Sequence, residues 1–138
     1  MSKQEVTRLL GGVVLALFFF TTIVFAQGAP TGAITGLVRD SKGASVPRAQ
    51  IEIYNEQTGV LARSVKTETD GSYTAALLPP GSYRLEITAS GFKKYVAERL
   101  PVGIAESTRL DAVLEIGTVS ETVVVEATPT IINTVNIT

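Results

Sequence analysis

The sequence predicts an all-β protein, a seven-stranded antiparallel β-sandwich behind an N-terminal signal peptide. Three observations lead there. From Ala33 onward, short runs of β-branched and aromatic residues alternate with polar ones, the two-residue period of a half-buried strand. Turn signals break those runs at spacings of roughly ten residues, as in sandwiches and barrels. Ahead of them, Leu9 to Phe25 run without a single charge.

The leader comes first. MSKQEVTR carries Lys3 and Arg8, the apolar run follows, and Val24-Phe25-Ala26 precedes Gln27. A basic start, an apolar stretch and a small residue at the cut describe a secretory signal, cleaved between Ala26 and Gln27. As an uncleaved anchor the run is at the short limit for crossing a bilayer. Removing residues 1–26 takes away Lys3, Arg8 and Glu5, leaving ten basic against twelve acidic side chains and a net charge of −2. That balance leaves no footprint for nucleic-acid binding. The chain has no Cys, His or Trp. An exported domain of this kind holds together without disulfides, and Ser-His-Asp or Cys-His catalysis is excluded.

Residues 27–32 are a small, turn-rich lead-in to a sandwich over 33–117. AITGLVRD is the first run, with Ile34 and Val38 on one side and Gly36 between them. Asp40-Ser41-Lys42-Gly43 turns, because Asp accepts a bond from the backbone two residues on and Gly tolerates positive φ. AQIEIYN then alternates, Ala49, Ile51 and Ile53 against Gln50 and Glu52. VLARSVKTET follows, and Asp70-Gly71 sends SYTAALL back as its hairpin partner. Pro79 and Pro80 cannot donate to a ladder and close that strand. YRLEITA has the cleanest alternation, FKKYVAERL comes next, and ESTRLDAVLEIG is the seventh run. The inward positions give a core of Ile34, Val38, Ala49, Ile51, Ile53, Val65, Tyr73, Leu77, Tyr83, Leu85, Ile87, Phe92, Val96, Leu110 and Leu114. Each large apolar side chain fully buried contributes roughly 1.5–3 kcal/mol.

The order of these signals resembles the carboxypeptidase regulatory-like domain family. Its markers stand here as Gly36, Val38, Asp40 and Gly43; Pro47 and Ala49; Thr67, Gly71 and Tyr73; Leu78, Pro80, Gly81 and Tyr83; and Gly91 with Phe92. The resemblance implies a transthyretin-like (prealbumin-like) sandwich. Some transthyretin-like proteins hydrolyse 5-hydroxyisourate with histidines, which this chain lacks. The longer layout, a leader, this domain and then GTVSETVVVEATPTIINT, is similar to the start of Oar-like TonB-dependent outer-membrane receptors. It implies either the N-terminus of such a receptor, cut short before plug and barrel, or a stand-alone relative.

Few residues suggest chemistry. Glu52 and Glu86 sit at outward positions, where a solvated carboxylate is the ordinary expectation. Asp40 and Asp70 are single carboxylates in turns, whereas a calcium loop gathers several oxygen ligands. No catalytic residue, metal or cofactor is expected. Tyr54 and Tyr95 are the rings best placed to contact carbohydrate, which makes a secreted sugar- or surface-binding sandwich the alternative function. An accessory domain of a peptidase is a third. An isopeptide-stabilised adhesin module would want a first-strand Lys, and there is none.

That leaves the segment 118–138, and within it Glu121, Thr122, Val123, Val124, Val125, Glu126 and Ala127. By resemblance these are a TonB-box-like peptide, which implies a TonB-like periplasmic partner and β-augmentation by an extended strand. The expected setting is the periplasm or outer membrane, reached through the inner membrane. The segment has high β-propensity and no internal proline. Two exposures follow. A peptide held out for a partner leaves its valines unburied; an eighth strand buries Val123 and Val125, or else Val124.

Overall fold

A computed structural model describes residues 2–18 and 28–132. The N-terminal segment forms one helix, α1 (Lys3–Phe18). Ala26 and Gln27, the expected cleavage point, lie outside the described residues. Among those described, no helix is long and apolar enough to cross a membrane.

The rest is a two-sheet β-sandwich. Its strands are β1 (Gly32–Asp40), β2 (Gln50–Asn55), β3 (Leu61–Lys66), β4 (Ser72–Leu78), β5 (Gly81–Thr88) and β6 (Lys94–Val102), then the short β7 (Ser107–Arg109), β8 (Ala112–Leu114), β9 (Thr122–Glu126) and β10 (Thr130–Ile132). One sheet runs β10-β7-β1-β4, with β8 also on β1; the other runs β3-β2-β5-β6-β9. The alternating side chains of β1, β2 and β5 send Ile34, Val38, Ile51, Ile53, Leu85 and Ile87 into the space between the sheets, where all are fully buried.

Four features depart from the sequence expectation. First, Asp70-Gly71 does not close a hairpin. β3 pairs with β2, whereas β4 pairs with β1 in the opposite sheet, so the chain changes layers at this turn. Asp70 Oδ1 still accepts the Ser72 N–H at 2.9 Å, so the turn chemistry is as expected and only the partner differs.

Second, the seventh run is two strands, and both lie parallel to β1. The break falls at Leu110-Asp111. The Leu110 carbonyl passes so close to Gly36 that a Cβ there would sit 1.8 Å from the oxygen. Tyr73 Oη donates to that same oxygen at 2.8 Å. With the main chain displaced, Asp111 Oδ1 accepts the Leu37 N–H at 2.9 Å in place of a ladder carbonyl.

Third, Leu77 is exposed and its neighbour Leu78 is buried. A bulge in the β1–β4 ladder places two residues opposite one, and Leu77 takes φ 60° to allow it. The extra residue turns the alternation over.

Fourth, β9 and β10 extend the two sheets beyond the seven expected runs. The tail leaves β8, lies along β6 in one sheet, crosses at Ala127-Thr128-Pro129 and lies along β7 in the other. It therefore spans one open side of the sandwich.

Other local readings match. Asp40 Oδ1 accepts N–H bonds from Lys42 and Ala44, both at 2.9 Å, and Gly43 takes φ 85°. Buried Thr67 donates its hydroxyl to the Val46 carbonyl at 2.7 Å and accepts the Ala49 N–H at 2.8 Å, pinning the segment that enters β2.

Candidate functional site

Residues 121–127 are a paired strand at a sheet edge. β9 runs parallel to β6, with Thr122 beside Lys94, Val124 beside Val96 and Glu126 beside Glu98. Val123 and Val125 face the sandwich and are half-buried, whereas Val124 points out and is 60% exposed. Of the two exposures expected, the segment takes the strand arrangement that buries the outer two valines in part.

The direction of the β9 backbone groups follows from the bonds at its ends. Lys94 N–H donates to the Glu121 carbonyl at 2.8 Å, and Ala127 N–H donates to the Glu98 carbonyl at 3.4 Å. Peptide groups alternate sides along a strand, so the odd-numbered residues bond to β6. The N–H and C=O of Thr122, Val124 and Glu126 therefore point away from β6. β9 is the last strand of its sheet, so among the described residues that edge is open.

Charge brackets the strand at both ends. Lys93 Nζ lies 3.5 Å from Glu121 and 3.2 Å from Glu115. The Glu115 hydrogen bond is the main cause of a Lys93 pKa above the ordinary lysine value, with Glu121 adding to it. Arg99 contacts Glu126 at 2.6 Å, both side chains being largely exposed. Arg99 itself sits at φ 58°, in a bulge that interrupts the β5–β6 register. Its N–H donates to Glu56 Oε1 at 2.7 Å, and Ser82 Oγ donates to Glu56 Oε2. The Ser82 hydroxyl and then the Arg99 N–H hold the Glu56 carboxyl below its usual range.

Lys93, Arg99 and Glu56 escaped the sequence reading. A signal for the first two was present: a cation near each end of the sixth run matches an acid at each end of ETVVVEA. Such complementary spacing is what a parallel pairing of the two runs produces.

The two expected sugar-contacting rings do not form a platform. Tyr95 is 8% exposed and belongs to the core, where burial raises its hydroxyl pKa. This corrects the expected outward position. Tyr95 is in register with Ile87 and Ala97 with Leu85, so both share the inward face. Tyr54 is on the opposite face of the sheet, half-buried. Its hydroxyl donates to Glu52 at 2.8 Å, and the Arg84 guanidinium lies 5.1 Å above its ring. Arg84 and Lys94 flank Glu86 at 3.1 and 2.6 Å, an ion-paired row in which the buried Arg84 Nε makes no hydrogen bond.

The carboxypeptidase regulatory-like domain matches residues 33–115 of this sequence. The chain belongs to that family. No curated protein matches it in sequence. The carboxypeptidase regulatory-like fold here is similar to the Bacillus anthracis TIE protein, at 21% identity and TM-score 0.53 over 63% of this chain and 17% of that one. It is also similar to the minor pilin of Streptococcus agalactiae, at 15% identity and TM-score 0.51 over 65% of this chain and 46% of that one. A third likeness is to hydroxyquinol 1,2-dioxygenase from Pseudomonas putida, at 12% identity and TM-score 0.50 over 76% of this chain and 71% of that one. The chain spans less than half the length of the first two. These likenesses carry the prealbumin-like, pilin-like sandwich and no activity. Both β9 and β10 lie beyond residue 115, so the carboxypeptidase regulatory-like match ends before the tail that covers its side.

Proposed function

We propose that this domain is a non-catalytic, periplasm-facing N-terminal module of a TonB-dependent outer-membrane receptor or transporter. It is exported by its leader and acts by protein–protein contact, with substrate choice made elsewhere in the receptor. Residues 121–127 are the coupling segment. A TonB-like periplasmic protein takes it by adding a strand to the open edge of β9.

The observation that supports this is the outward direction of the Thr122, Val124 and Glu126 backbone groups on a terminal strand. A ready-made row of unpaired donors and acceptors is what an incoming strand needs. The peptide need not be free to be read; its edge is already presented.

The test is a pull-down with a TonB C-terminal domain, comparing the native chain with Val124→Pro. Proline removes an N–H that points away from β6, so the β6–β9 ladder survives while the open edge loses its central donor. Capture of the native chain and loss of the variant is expected, with melting temperature unchanged. Equal capture of both, or of neither, overturns the proposal.

A further inference from the structure

We infer that the open edge of β9 is self-complementary, and that a second copy of this chain pairs with it antiparallel about Val124. The argument begins with sequence symmetry. Reading outward from Val124 meets Val123 and Val125, then Thr122 and Glu126, then Glu121 and Ala127. An antiparallel pair centred there sets Val124 against Val124, Val123 against Val125, and Thr122 against Glu126.

The backbone agrees with that register. Thr122, Val124 and Glu126 are the residues whose N–H and C=O face the open edge. In the centred pairing each meets a residue of the same parity, so every facing pair can exchange both of its main-chain bonds. On the inner face, the half-buried Val123 of one copy meets the half-buried Val125 of the other. That completes the covering which β9 lacks on its own.

Charge does not oppose the pairing. Acidic residues on an edge ordinarily repel a like edge. Here Glu121 is held by Lys93 and Glu126 by Arg99 of the same chain. In the centred register, moreover, no carboxylate faces another: Glu126 meets Thr122, whose hydroxyl can donate to it, and Glu121 meets Ala127. The result joins two five-stranded sheets into one continuous sheet across a two-fold axis. A contact between strands this short buries less than a stable dimer does, so the pair is transient and forms at high protein concentration.

The chain has no cysteine, so a single introduced thiol reports without ambiguity. Facing residues in a hydrogen-bonded antiparallel pair have Cα atoms about 5.5 Å apart, within disulfide range. Protein purified after expression of the whole chain is oxidised mildly as Val124→Cys and, for comparison, as Val113→Cys, an exposed site on β8. Covalent dimer is expected to form roughly tenfold faster at position 124, where the self-pairing brings the two thiols together. Sedimentation equilibrium of the cysteine-free chain is expected to show a concentration-dependent dimer. Val124→Lys sets two ammonium groups face to face and Val124→Pro removes the central donor, so each weakens it by roughly tenfold. Equal crosslinking rates, a monomer at all concentrations, or a dimer indifferent to both substitutions overturns the inference. None of these measurements contains a TonB-like partner. An edge that captures the partner but does not self-pair leaves the proposed function standing and removes this inference alone.

Discussion

The carboxylate of Glu56 accepts the main-chain N–H of Arg99 at 2.7 Å, although forty-three residues separate them. One acid at the β2–β3 turn thereby fixes a bulge in β6, and the bulge carries the guanidinium that holds Glu126 of β9. Turn, bulge and tail are one connected set.

This relationship titrates. The Ser82 hydroxyl and the Arg99 N–H depress the Glu56 pKa below its ordinary 4.5. A carboxyl with a depressed folded value contributes stability that is present above the unfolded value and lost as pH falls through the folded one. Urea denaturation followed from neutral into acid solution should therefore show the native chain losing more stability below pH 4.5 than Glu56→Gln. Asp70 is shifted in the same direction by Ser72, so the difference between the two chains isolates Glu56. Parallel curves would refute the assignment.

Gly36→Ala should be among the most damaging small substitutions. The new Cβ would meet the Leu110 carbonyl oxygen at 1.8 Å, and that atom is backbone, already held by Tyr73. Overpacking of this kind costs roughly 3 kcal/mol, read as a lowered urea midpoint. Gly28→Ala has open space around it and should leave the midpoint where it is.

Thr67→Val keeps the shape of a buried side chain and deletes both of its bonds. The Ala49 N–H and the Val46 carbonyl then lose their partner together. A loss of about 2 kcal/mol is expected by chemical denaturation, since leaving buried groups unpaired costs more than the bonds themselves contribute.

Leu78→Ala should cost about 3 kcal/mol, the range for emptying a fully buried leucine site. Leu77→Ala, one residue away and 66% exposed, should change the midpoint little. A reversed order would show that the β4 bulge is misplaced.

That last pair also marks where the sequence stops being legible. The runs with clean alternation, in β1, β2 and β5, gave their buried residues correctly, because period two is a local property that a strand cannot hide. Partners are not local. Nothing within SYTAALL says that it pairs with β1 and not with β3, and nothing in STRLDAVL announces a parallel neighbour. Bulges defeat the pattern in another way: a single inserted residue at Leu77 flips the face of everything after it. In FKKYVAERL, Val96 looked inward, which put Tyr95 outside. Both are buried, Tyr95 in the core and Val96 on the opposite face beside Glu86 and Val124. For the candidate site, composition and the absence of proline announced a strand at 121–127. The charges of Lys93 and Arg99 hinted at its parallel partner, but its open edge and the reach of Glu56 to the β6 bulge depend on contacts between residues far apart in the chain.

The tail has a mechanical meaning as well. A pull arriving from beyond Ile132 loads the three-residue β10 first, then β9 between its two ion pairs, and only afterwards the strands of the family fold. Detaching β10 and then β9 along that path would leave the pairings of β1 to β8 in place. Under such a pull residues 118–132 would come away as a strap in two steps, ahead of the sandwich behind it.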